Sequence, residues 1–307
     1  MSPLAAPPRS TGPAGRLFSP KPDTIWKHPQ TPRGPEGRRS QHAVAEEEQM
    51  GKIKIAFFDI DGTLIDMGKK RVTPGTLDML NRLRKNGIRI CLATGRTPVT
   101  LPRFEGVTFD ACITFNGSYC FCPEGDIFSN PIRPEDVQTI IRNASALRRP
   151  VSVATRDRLA ANGSDADLAA YYAIAGLGVD VADDFDQVAR GEVYQIMLGC
   201  RREEYAPLLR DVQHARIAAW WDRAVDVIPA SGGKGVGVGQ VLRHFRLDRE
   251  EAIAFGDGDN DLELLAAVGT GVAMGNASAK LKALADDVCS SAADDGVARY
   301  CAGHGLI

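Results

Sequence analysis

Short apolar runs alternate along the chain with stretches in which every third or fourth residue is apolar, which predicts alternating strands and helices. The helix signal is clearest after Thr73-Pro74, where Leu77, Leu80 and Leu83 share one face and Asn86-Gly87 ends the segment. The runs predicted as buried strands lie at 53–58, 88–93, 110–115, 252–256 and 271–275. This alternation predicts an α/β fold with a doubly wound parallel sheet, whose ligands gather beyond the carboxyl ends of the strands.

Residues 132–229 break this alternation and predict an inserted α+β domain. Helices are expected there at 135–147 and 166–175, and strands at 151–154, 193–198, 217–221 and 225–228. The buried-strand pattern then resumes. The predicted organisation is a tail at 1–50, the first part of the core at 51–131, the inserted domain at 132–229 and the second part of the core at 230–307.

The first 49 residues differ in composition from the rest of the chain. They hold nine of the eighteen prolines and few aliphatic residues, which predicts a disordered segment. Arg38-Arg39 is no twin-arginine export signal, because polar residues follow where an apolar segment is required. Met50 directly precedes the core and is a plausible natural start. Mass spectrometry of the native protein that found residues before Met50 would remove that hypothesis.

Composition narrows the class of protein and of partner. The 307 residues, 44% hydrophobic and 25% charged, are typical of a soluble protein with room for two domains. A net charge of −2 gives no general attraction to nucleic acid or to anionic membranes, and no apolar run approaches the ~18 residues of a membrane span. The seven cysteines are scattered, and Cys120 and Cys122 lack a second ligand pair, which predicts reduced thiols and a cytoplasmic protein.

Candidate chemistry begins where the first strand ends, at Asp59-Ile60-Asp61-Gly62-Thr63. Two carboxylates one residue apart at the end of a buried strand repel each other, and they need a metal ion or a shared proton. A carboxylate can also attack a phosphoryl group and form an aspartyl-phosphate, with Mg²⁺ as the usual neutraliser of charge. The alternative is a polar turn that merely closes the strand.

Two further strand ends carry similar signals. At the second, the Thr94 hydroxyl and the backbone N–H groups of Gly95 and Arg96 are suited to hold a phosphoryl oxygen, although a threonine that only caps the turn gives the same pattern. The segment Asp257-Gly258-Asp259-Asn260-Asp261 begins like a calcium loop. Leu262 and Val268 replace the glycine and glutamate that an EF-hand requires, so a Mg²⁺ site is predicted instead.

Lys234 follows a glycine-rich turn and opens a predicted helix. The spacing of the glycines is wrong for a nucleotide-binding P-loop, and Gly235 stands where a Ser or Thr is required. Gly237 and Gly239 lie in the predicted helix and cost about 1 kcal/mol each relative to alanine, so the helix is expected to start late or to pack unusually closely.

Taken in order, Asp-x-Asp-Gly-Thr, Thr-Gly-Arg, Lys234 and Gly-Asp-Gly-x-Asn-Asp resemble the four motifs of the haloacid dehalogenase superfamily of phosphotransferases, across residues 53–301. The insertion between Thr94 and Lys234, and the turn Asn116-Gly117-Ser118, are similar to those of its Cof-type phosphatase branch. The resemblance implies a Rossmann-like core and an α+β cap domain that closes over the site.

The resemblance also implies a role for each matching residue. Asp59 would be the nucleophile and Asp61 the general acid and base, while Thr94, Gly95 and Lys234 would bind the phosphoryl oxygens. Mg²⁺ would be held by the Asp59 carboxylate, the Asp61 backbone carbonyl and Asp257. Asn260, Asp261 and Asn116 would support these groups; Asn276 would either touch the site or cap the next helix.

The predicted function is therefore Mg²⁺-dependent hydrolysis of a small phosphomonoester through an aspartyl-phosphate. A sugar phosphate, a phosphorylated flavin precursor and pyridoxal phosphate are equally compatible, and the oligomeric state is not predicted. Arg156, Arg158 and Tyr194 could line the cap pocket or lie on the surface. The alternatives are a phosphomutase of the phosphomannomutase type and a non-catalytic regulator that binds a phosphorylated metabolite.

Overall fold

The computed structural model describes residues 52–219 and 221–307. The predicted tail at 1–50 and the hypothesis about Met50 lie outside the described residues. The strands within them are β1 (Ile55–Phe58), β2 (Arg89–Ala93), β3 (Ala111–Thr114), β4 (Tyr119–Cys122), β5 (Gly125–Ser129), β6 (Val151–Ala154), β7 (Leu159–Ala161), β8 (Gln195–Gly199), β9 (Ala215–Ala218), β10 (Ala224–Pro229), β11 (Ala252–Gly256), β12 (Thr270–Ala273) and β13 (Asp287–Val288).

The larger sheet is built from the apolar runs and has the order β13-β12-β11-β1-β2-β3-β4-β5. All residues of β1 are buried, as a strand covered on both faces requires. Its neighbours β2 and β11 run parallel to it, with Phe58 opposite Leu92 on one side and Phe255 on the other. The sheet is parallel from β13 to β3. The carboxyl ends of β1, β2 and β11 therefore lie side by side at one edge.

A second sheet has the order β7-β6-β8-β10-β9, and all of its pairings are antiparallel. Its central strand β8 is buried along its whole length, as is β10 beside it. Both are rich in Val, Ile, Leu and Met, which suits a buried pleated surface. Along the sequence, the strands of the second sheet thus lie between the two segments that form the larger sheet.

Helices connect and cover these strands. They are α1 (Pro74–Lys85), α2 (Pro134–Ala146), α3 (Ala166–Ile174), α4 (Phe185–Val188), α5 (Tyr205–Leu208), α6 (Lys234–Phe245), α7 (Leu262–Ala266), α8 (Ala279–Leu284) and α9 (Gly296–Gly303). In α1, the Thr73 side chain accepts the backbone N–H of Thr76 and Pro74 occupies the first turn, as the sequence pattern predicted. Met79, Leu80 and Leu83 bury one face of that helix against the sheet.

The glycines of α6 allow close packing. The helix begins at Lys234, so it does not start late. A Cβ on Gly237 would lie 2.4 Å from Cγ2 of Ile113 on β3, which only a missing side chain permits. The expectation of unusually close packing is therefore confirmed at this position, and the close approach fixes the first turn of α6 against the sheet edge.

The two sheets are joined by an apolar contact and by two neighbouring chain segments. Phe115 and Tyr119 from the larger sheet pack with Tyr194 and Met197 from the second, and the rings of Phe115 and Tyr194 stack 5.2 Å apart. The chain leaves the larger sheet after β5 and returns after β10. These two passages touch, because Nδ2 of Asn130 lies 3.3 Å from Oγ of Ser231.

The predicted α/β class with a mostly parallel sheet is confirmed, and so are most of the elements of the inserted region. The sheet is not parallel throughout, because β4 and β5 add an antiparallel hairpin at one edge that the sequence analysis missed. The strand expected at 217–221 lies instead at Ala215–Ala218, where pairing with β10 determines its limits. The predicted boundaries at 131/132 and 229/230 stay predictions.

All seven cysteines are free thiols, and six of them are buried. Burial raises the pKa of Cys112 and of Cys120 to about 12, so these thiols stay protonated at neutral pH. Among the described residues, no helix is both long enough and apolar enough to span a bilayer.

Candidate active site

The parallel pairing brings four of the predicted residues to one edge of the larger sheet. Asp59 follows β1, Thr94 follows β2 and Asp257 follows β11, while Asn116 lies just beyond β3. Asp59, Thr94 and Asn116 are all at most 6% exposed. Polar groups this deeply buried need hydrogen-bond partners or a bound ligand, and each of the three has a partner among other residues of the site.

Lys234 joins two of the carboxylates. Its Nζ donates to Oδ1 of Asp59 at 2.7 Å and to Oδ1 of Asp261 at 2.6 Å, and the side chain is fully buried. Burial alone would lower the pKa of this amine, but the charges of Asp261 and Asp59 raise the pKa above its usual value. Lys234 is therefore held as a cation beside the predicted nucleophile.

Asp59, Asp257 and Asp261 form a candidate metal centre, because one oxygen of each lies within 4.8 Å of the others. Burial, together with the charges of Asp261, Asp257 and Asp61, holds the pKa of Asp59 well above its ordinary range despite Lys234. Burial and the Asp261 charge likewise raise the pKa of Asp257 to about 7. A divalent cation among these oxygens would offset the repulsion, and a set of hard carboxylate oxygens fits Mg²⁺.

Asp261 already has partners for both carboxylate oxygens. While Oδ1 accepts from Lys234, Oδ2 accepts the backbone N–H groups of Asp257 and Gly258, each at 3.0 Å. Asp59 and Asp257 are therefore the carboxylates of the cluster with fewer hydrogen-bond partners within the protein. The supporting role that the resemblance implied for Asp261 stays a prediction.

The Asp61 carboxylate is not one of the three in this cluster and pairs with Arg96. Nε and Nη2 of Arg96 each donate to one Asp61 oxygen at 2.7 Å, and Nη1 donates to the backbone carbonyl of Thr100. The hydrogen bond to Asp61 raises the pKa of Arg96 above its usual value. Sequence reasoning had used only the backbone N–H of Arg96. The sequence feature that could have indicated a role for the Arg96 side chain was its position directly after Thr94-Gly95.

Thr94 and Gly95 form the turn beside Asp59. The Thr94 hydroxyl accepts the backbone N–H of Arg96 at 3.1 Å, and Gln195 of the second sheet donates to the backbone carbonyl of Gly95 at 3.2 Å. A Cβ on Gly95 would lie 3.0 Å from Nδ2 of Asn116, so a side chain there would crowd the asparagine. The phosphate-binding role of these two residues stays a prediction.

Asn116 connects the site to the second sheet. It adopts the left-handed conformation (φ 52°), and its Nδ2 donates to Asp226 on β10 at 2.9 Å. Its Oδ1 accepts from Nδ2 of Asn260 at 3.2 Å, which brings the two predicted supporting amides together. Asp226 and Gln195 are contacts that the sequence analysis missed, because they depend on how the two sheets face each other.

Asn276 touches the site. Its Nδ2 donates to the backbone carbonyl of Gly62 at 2.8 Å and contacts Oδ2 of Asp257 at 3.3 Å. The following helix α8 is capped by Ser278 instead, whose side chain accepts the backbone N–H of Leu281. Of the two readings of Asn276, the structure therefore selects the contact with the site.

A cavity of about 240 Å³ opens above these groups. Asp59, Asp61, Thr94 and Asp257 contribute to its lining, as do polar residues beside them such as Arg96, Thr97 and Asn260. Further residues of the lining come from β7, β8, β10, α3 and the turn after α3. The arrangement places the carboxylates of Asp59 and Asp257 at one small space, while Lys234 contacts Asp59 without lining the cavity itself. Such a site is suited to bind a phosphoryl group and to stabilise charge that develops on it.

Arg156, Arg158 and Tyr194 do not line this cavity, so the idea that they form the pocket is wrong. Arg156 donates to the Tyr194 hydroxyl at 2.9 Å and pairs with Asp126, while Arg158 pairs with Asp184. Both arginines therefore have acidic partners that do not line the cavity.

The fold and the motifs agree with the comparison to known proteins. Residues 56–301 match the family of haloacid dehalogenase-like hydrolases. The chain is 31% identical over 253 residues to "Putative phosphatase YkrA" of Bacillus subtilis (strain 168), which covers 80% of this chain and 95% of that protein. It is 30% identical over 266 residues to the 5-amino-6-(5-phospho-D-ribitylamino)uracil phosphatase YitU of the same organism, covering 81% and 96% of the two chains.

Among solved structures, the subclass IIB sugar phosphatase BT4131 superposes with a TM-score of 0.76 at 29% identity, covering 83% of this chain and all of the other. The match in sequence, fold and motif order extends over both sheets. The chain therefore belongs to the haloacid dehalogenase-like hydrolases and, within them, to the Cof-type phosphatase branch.

Proposed function

We propose that this protein is a Mg²⁺-dependent phosphatase that hydrolyses small phosphomonoesters through an aspartyl-phosphate on Asp59. The observation that carries the proposal is the position of Asp59 at the end of β1, paired with the fully buried Lys234 and clustered with Asp257. A carboxylate in this setting is fixed in place and flanked by the positive charge that a transferring phosphoryl group requires.

In the proposed reaction, an Asp59 oxygen attacks phosphorus, and the bond from phosphorus to the leaving alcohol oxygen breaks. Asp61 protonates that oxygen, and then takes a proton from the water that attacks the aspartyl-phosphate and releases inorganic phosphate. Thr94, Gly95 and Lys234 hold the remaining phosphoryl oxygens. Bound Mg²⁺, held by the carboxylates of Asp59 and Asp257 and the backbone carbonyl of Asp61, would neutralise part of the phosphate charge.

Arg96 has a defined place in this scheme. Its fork holds the Asp61 carboxylate in one orientation through two hydrogen bonds of 2.7 Å. Because a bidentate arginine fixes both distance and plane, it can position the proton-transferring group. We therefore treat Arg96 as a positioning residue for Asp61.

The substrate class is a small soluble phosphorylated metabolite, and the proposed compartment is the cytoplasm. YitU and BT4131 are named for a flavin precursor and for sugars, respectively, which supports compounds of this size. Among the described residues, the cavity beside Asp59 has no more room than a small molecule requires. Free thiols at all seven cysteines are consistent with a reducing compartment.

The test is phosphate release with Mg²⁺ from a panel of small phosphomonoesters. The wild type is measured beside Asp59→Asn and a matched control, Asp259→Asn, whose carboxylate is exposed and accepts from Ser278 instead of joining the cluster. We expect activity that requires Mg²⁺, that disappears in Asp59→Asn and that persists in Asp259→Asn.

Other outcomes would support the alternative functions, a phosphomutase or a non-catalytic regulator. Phosphate that moves to another position of the same sugar without release would indicate a phosphomutase. Binding of Mg²⁺ and substrate with no turnover would indicate a regulator. Phosphate release that survives in Asp59→Asn would show that the nucleophile has been assigned wrongly.

A further inference from the structure

The part of the cavity lining that the second sheet and α3 contribute is mostly apolar. We call this set the apolar wall; its members are Leu159, Tyr171, Tyr172, Ile174, Leu177 and Met197. Leu159 lies on β7 and Met197 on β8, the two tyrosines and Ile174 lie on α3, and Leu177 follows that helix. The catalytic carboxylates thus share their cavity with aliphatic and aromatic surface.

The hydroxyl groups of both tyrosines of the wall are already hydrogen-bonded to other residues of the protein. The Tyr171 hydroxyl donates to Oδ1 of Asp226 at 2.6 Å. The Tyr172 hydroxyl is hydrogen-bonded to the side chain of Ser152, inside the second sheet. What remains for a ligand is the ring surface, which favours contact with flat or apolar groups.

The polar residues of this part of the lining are engaged as well. Gln195 donates to the backbone carbonyl of Gly95 and accepts from Asn116, and it is only 1% exposed. Asp226 accepts from both Asn116 and Tyr171 and is fully buried. These bonds tie the second sheet to the larger one. A ligand whose hydroxyl groups face this part of the lining would have to break these bonds or leave those hydroxyls unpaired, which is unfavourable in a buried site.

We propose that the preferred substrate is a phosphomonoester whose leaving alcohol carries a flat, largely apolar ring, not a polyhydroxylated sugar. This inference rests on the proposed phosphatase function and deepens it. The ring packs against Tyr171 and its neighbours in the apolar wall, while the phosphoryl group lies at Asp59. The size of the cavity, about 240 Å³, admits one ring beside the phosphoryl group. The preference differs from that of BT4131, which is named for sugars.

The test compares benzyl phosphate with glucose 6-phosphate, since both are phosphate esters of a primary alcohol. They differ in whether the alcohol carries an aromatic ring or a ring bearing hydroxyl groups. We expect kcat/KM with Mg²⁺ to be at least about tenfold higher for benzyl phosphate. Cyclohexylmethyl phosphate, which is apolar but not flat, should fall between the two.

Two variants connect the preference to the wall. Tyr171→Phe keeps the ring and loses only the hydroxyl, so it should retain the preference for benzyl phosphate. Tyr171→Leu removes the flat surface, so the ratio of the two kcat/KM values should fall severalfold, mainly through a higher KM for benzyl phosphate. Tyr171 is only partly buried, which makes both variants compatible with folding.

The outcomes separate this inference from the proposed function. Equal or faster hydrolysis of glucose 6-phosphate would overturn the substrate class and leave the phosphatase function standing. An unchanged ratio in Tyr171→Leu would overturn the role of the wall. Absence of hydrolysis for all three esters, in a protein that hydrolyses no other phosphomonoester, would overturn both.

Discussion

Gly62 offers a sharp test of the candidate metal centre. It lies between Asp61 and Thr63 with φ +90°, a conformation that side chains rarely adopt. A Cβ at this position would lie 2.2 Å from Oδ2 of Asp257, whereas ordinary contact begins at 3.4 Å. In Gly62→Ala the Asp257 carboxylate, or the loop that carries Gly62, must therefore move by about 1 Å. Displacement by that amount in a catalytic site can lower the rate about 100-fold.

Gly87 provides the matched control. Its φ of +80° is similar, but a Cβ there would meet no atom within 4 Å. Gly87→Ala thus imposes a similar backbone strain, about 1–2 kcal/mol for alanine in a left-handed conformation, without disturbing the site. Comparing the two variants separates the effect of backbone strain from the effect of the steric clash with the Asp257 carboxylate.

The assay combines urea unfolding without Mg²⁺ and steady-state phosphate release with Mg²⁺. Both variants should lose about 1–2 kcal/mol in the free energy of unfolding. Gly62→Ala should lose about 100-fold in kcat/KM, while Gly87→Ala should remain close to the wild type. If Gly62→Ala were as active as Gly87→Ala, the position of the Asp257 carboxylate would not matter to the reaction, and our assignment of the metal centre would be refuted.

Three further predictions concern the charges of the site. Lys234→Met leaves the buried carboxylates of Asp59 and Asp261 without their cation, so the free energy of unfolding measured in urea titrations should fall by about 3–5 kcal/mol. An unchanged midpoint of the urea transition would contradict the pairing of Lys234 with these carboxylates. Arg96→Lys keeps the charge but loses the fork on Asp61, so kcat should fall about tenfold (about 1.4 kcal/mol) with a smaller change in KM, whereas a rise in KM alone would indicate a role in binding only. Saturating Mg²⁺ should raise the Tm of the wild type by about 5–10 °C in calorimetry, and EDTA should reverse the shift. The shift should be absent in Asp257→Asn. An equal shift in that variant would mean that the ion binds elsewhere.

The sequence was sufficient to predict features that depend on local residue patterns and on the topology of parallel sheets. Asp59, Thr94 and Asp257 each follow a buried strand, and the carboxyl ends of parallel neighbouring strands necessarily meet. Their proximity was therefore predictable before any coordinates. The sequence predicted that Lys234 opens a helix, and the structure agrees, but the burial of its side chain was not predicted.

Features that depend on the contact between the two sheets could not be predicted. Asn116 and Asp226 are 110 residues apart, and their hydrogen bond exists only because the second sheet lies over the first. The pair of Arg96 with Asp61 was missed for a related reason, since a motif gives a residue's position along the chain but not the direction of a long side chain. Arg156, for which the sequence left a pocket role and a surface role open, pairs with Asp126 on a hairpin that the sequence analysis had not recognised.

The contact between Asn130 and Ser231 has an evolutionary consequence. Because the chain leaves and re-enters the larger sheet at neighbouring points, the intervening residues form a long loop whose ends already meet. Insertions, deletions or wholesale replacement between those points need not alter the order or register of β1, β2 and β11. Descendants of one ancestral gene can therefore keep the same catalytic carboxylates while the residues that recognise the leaving group diverge freely.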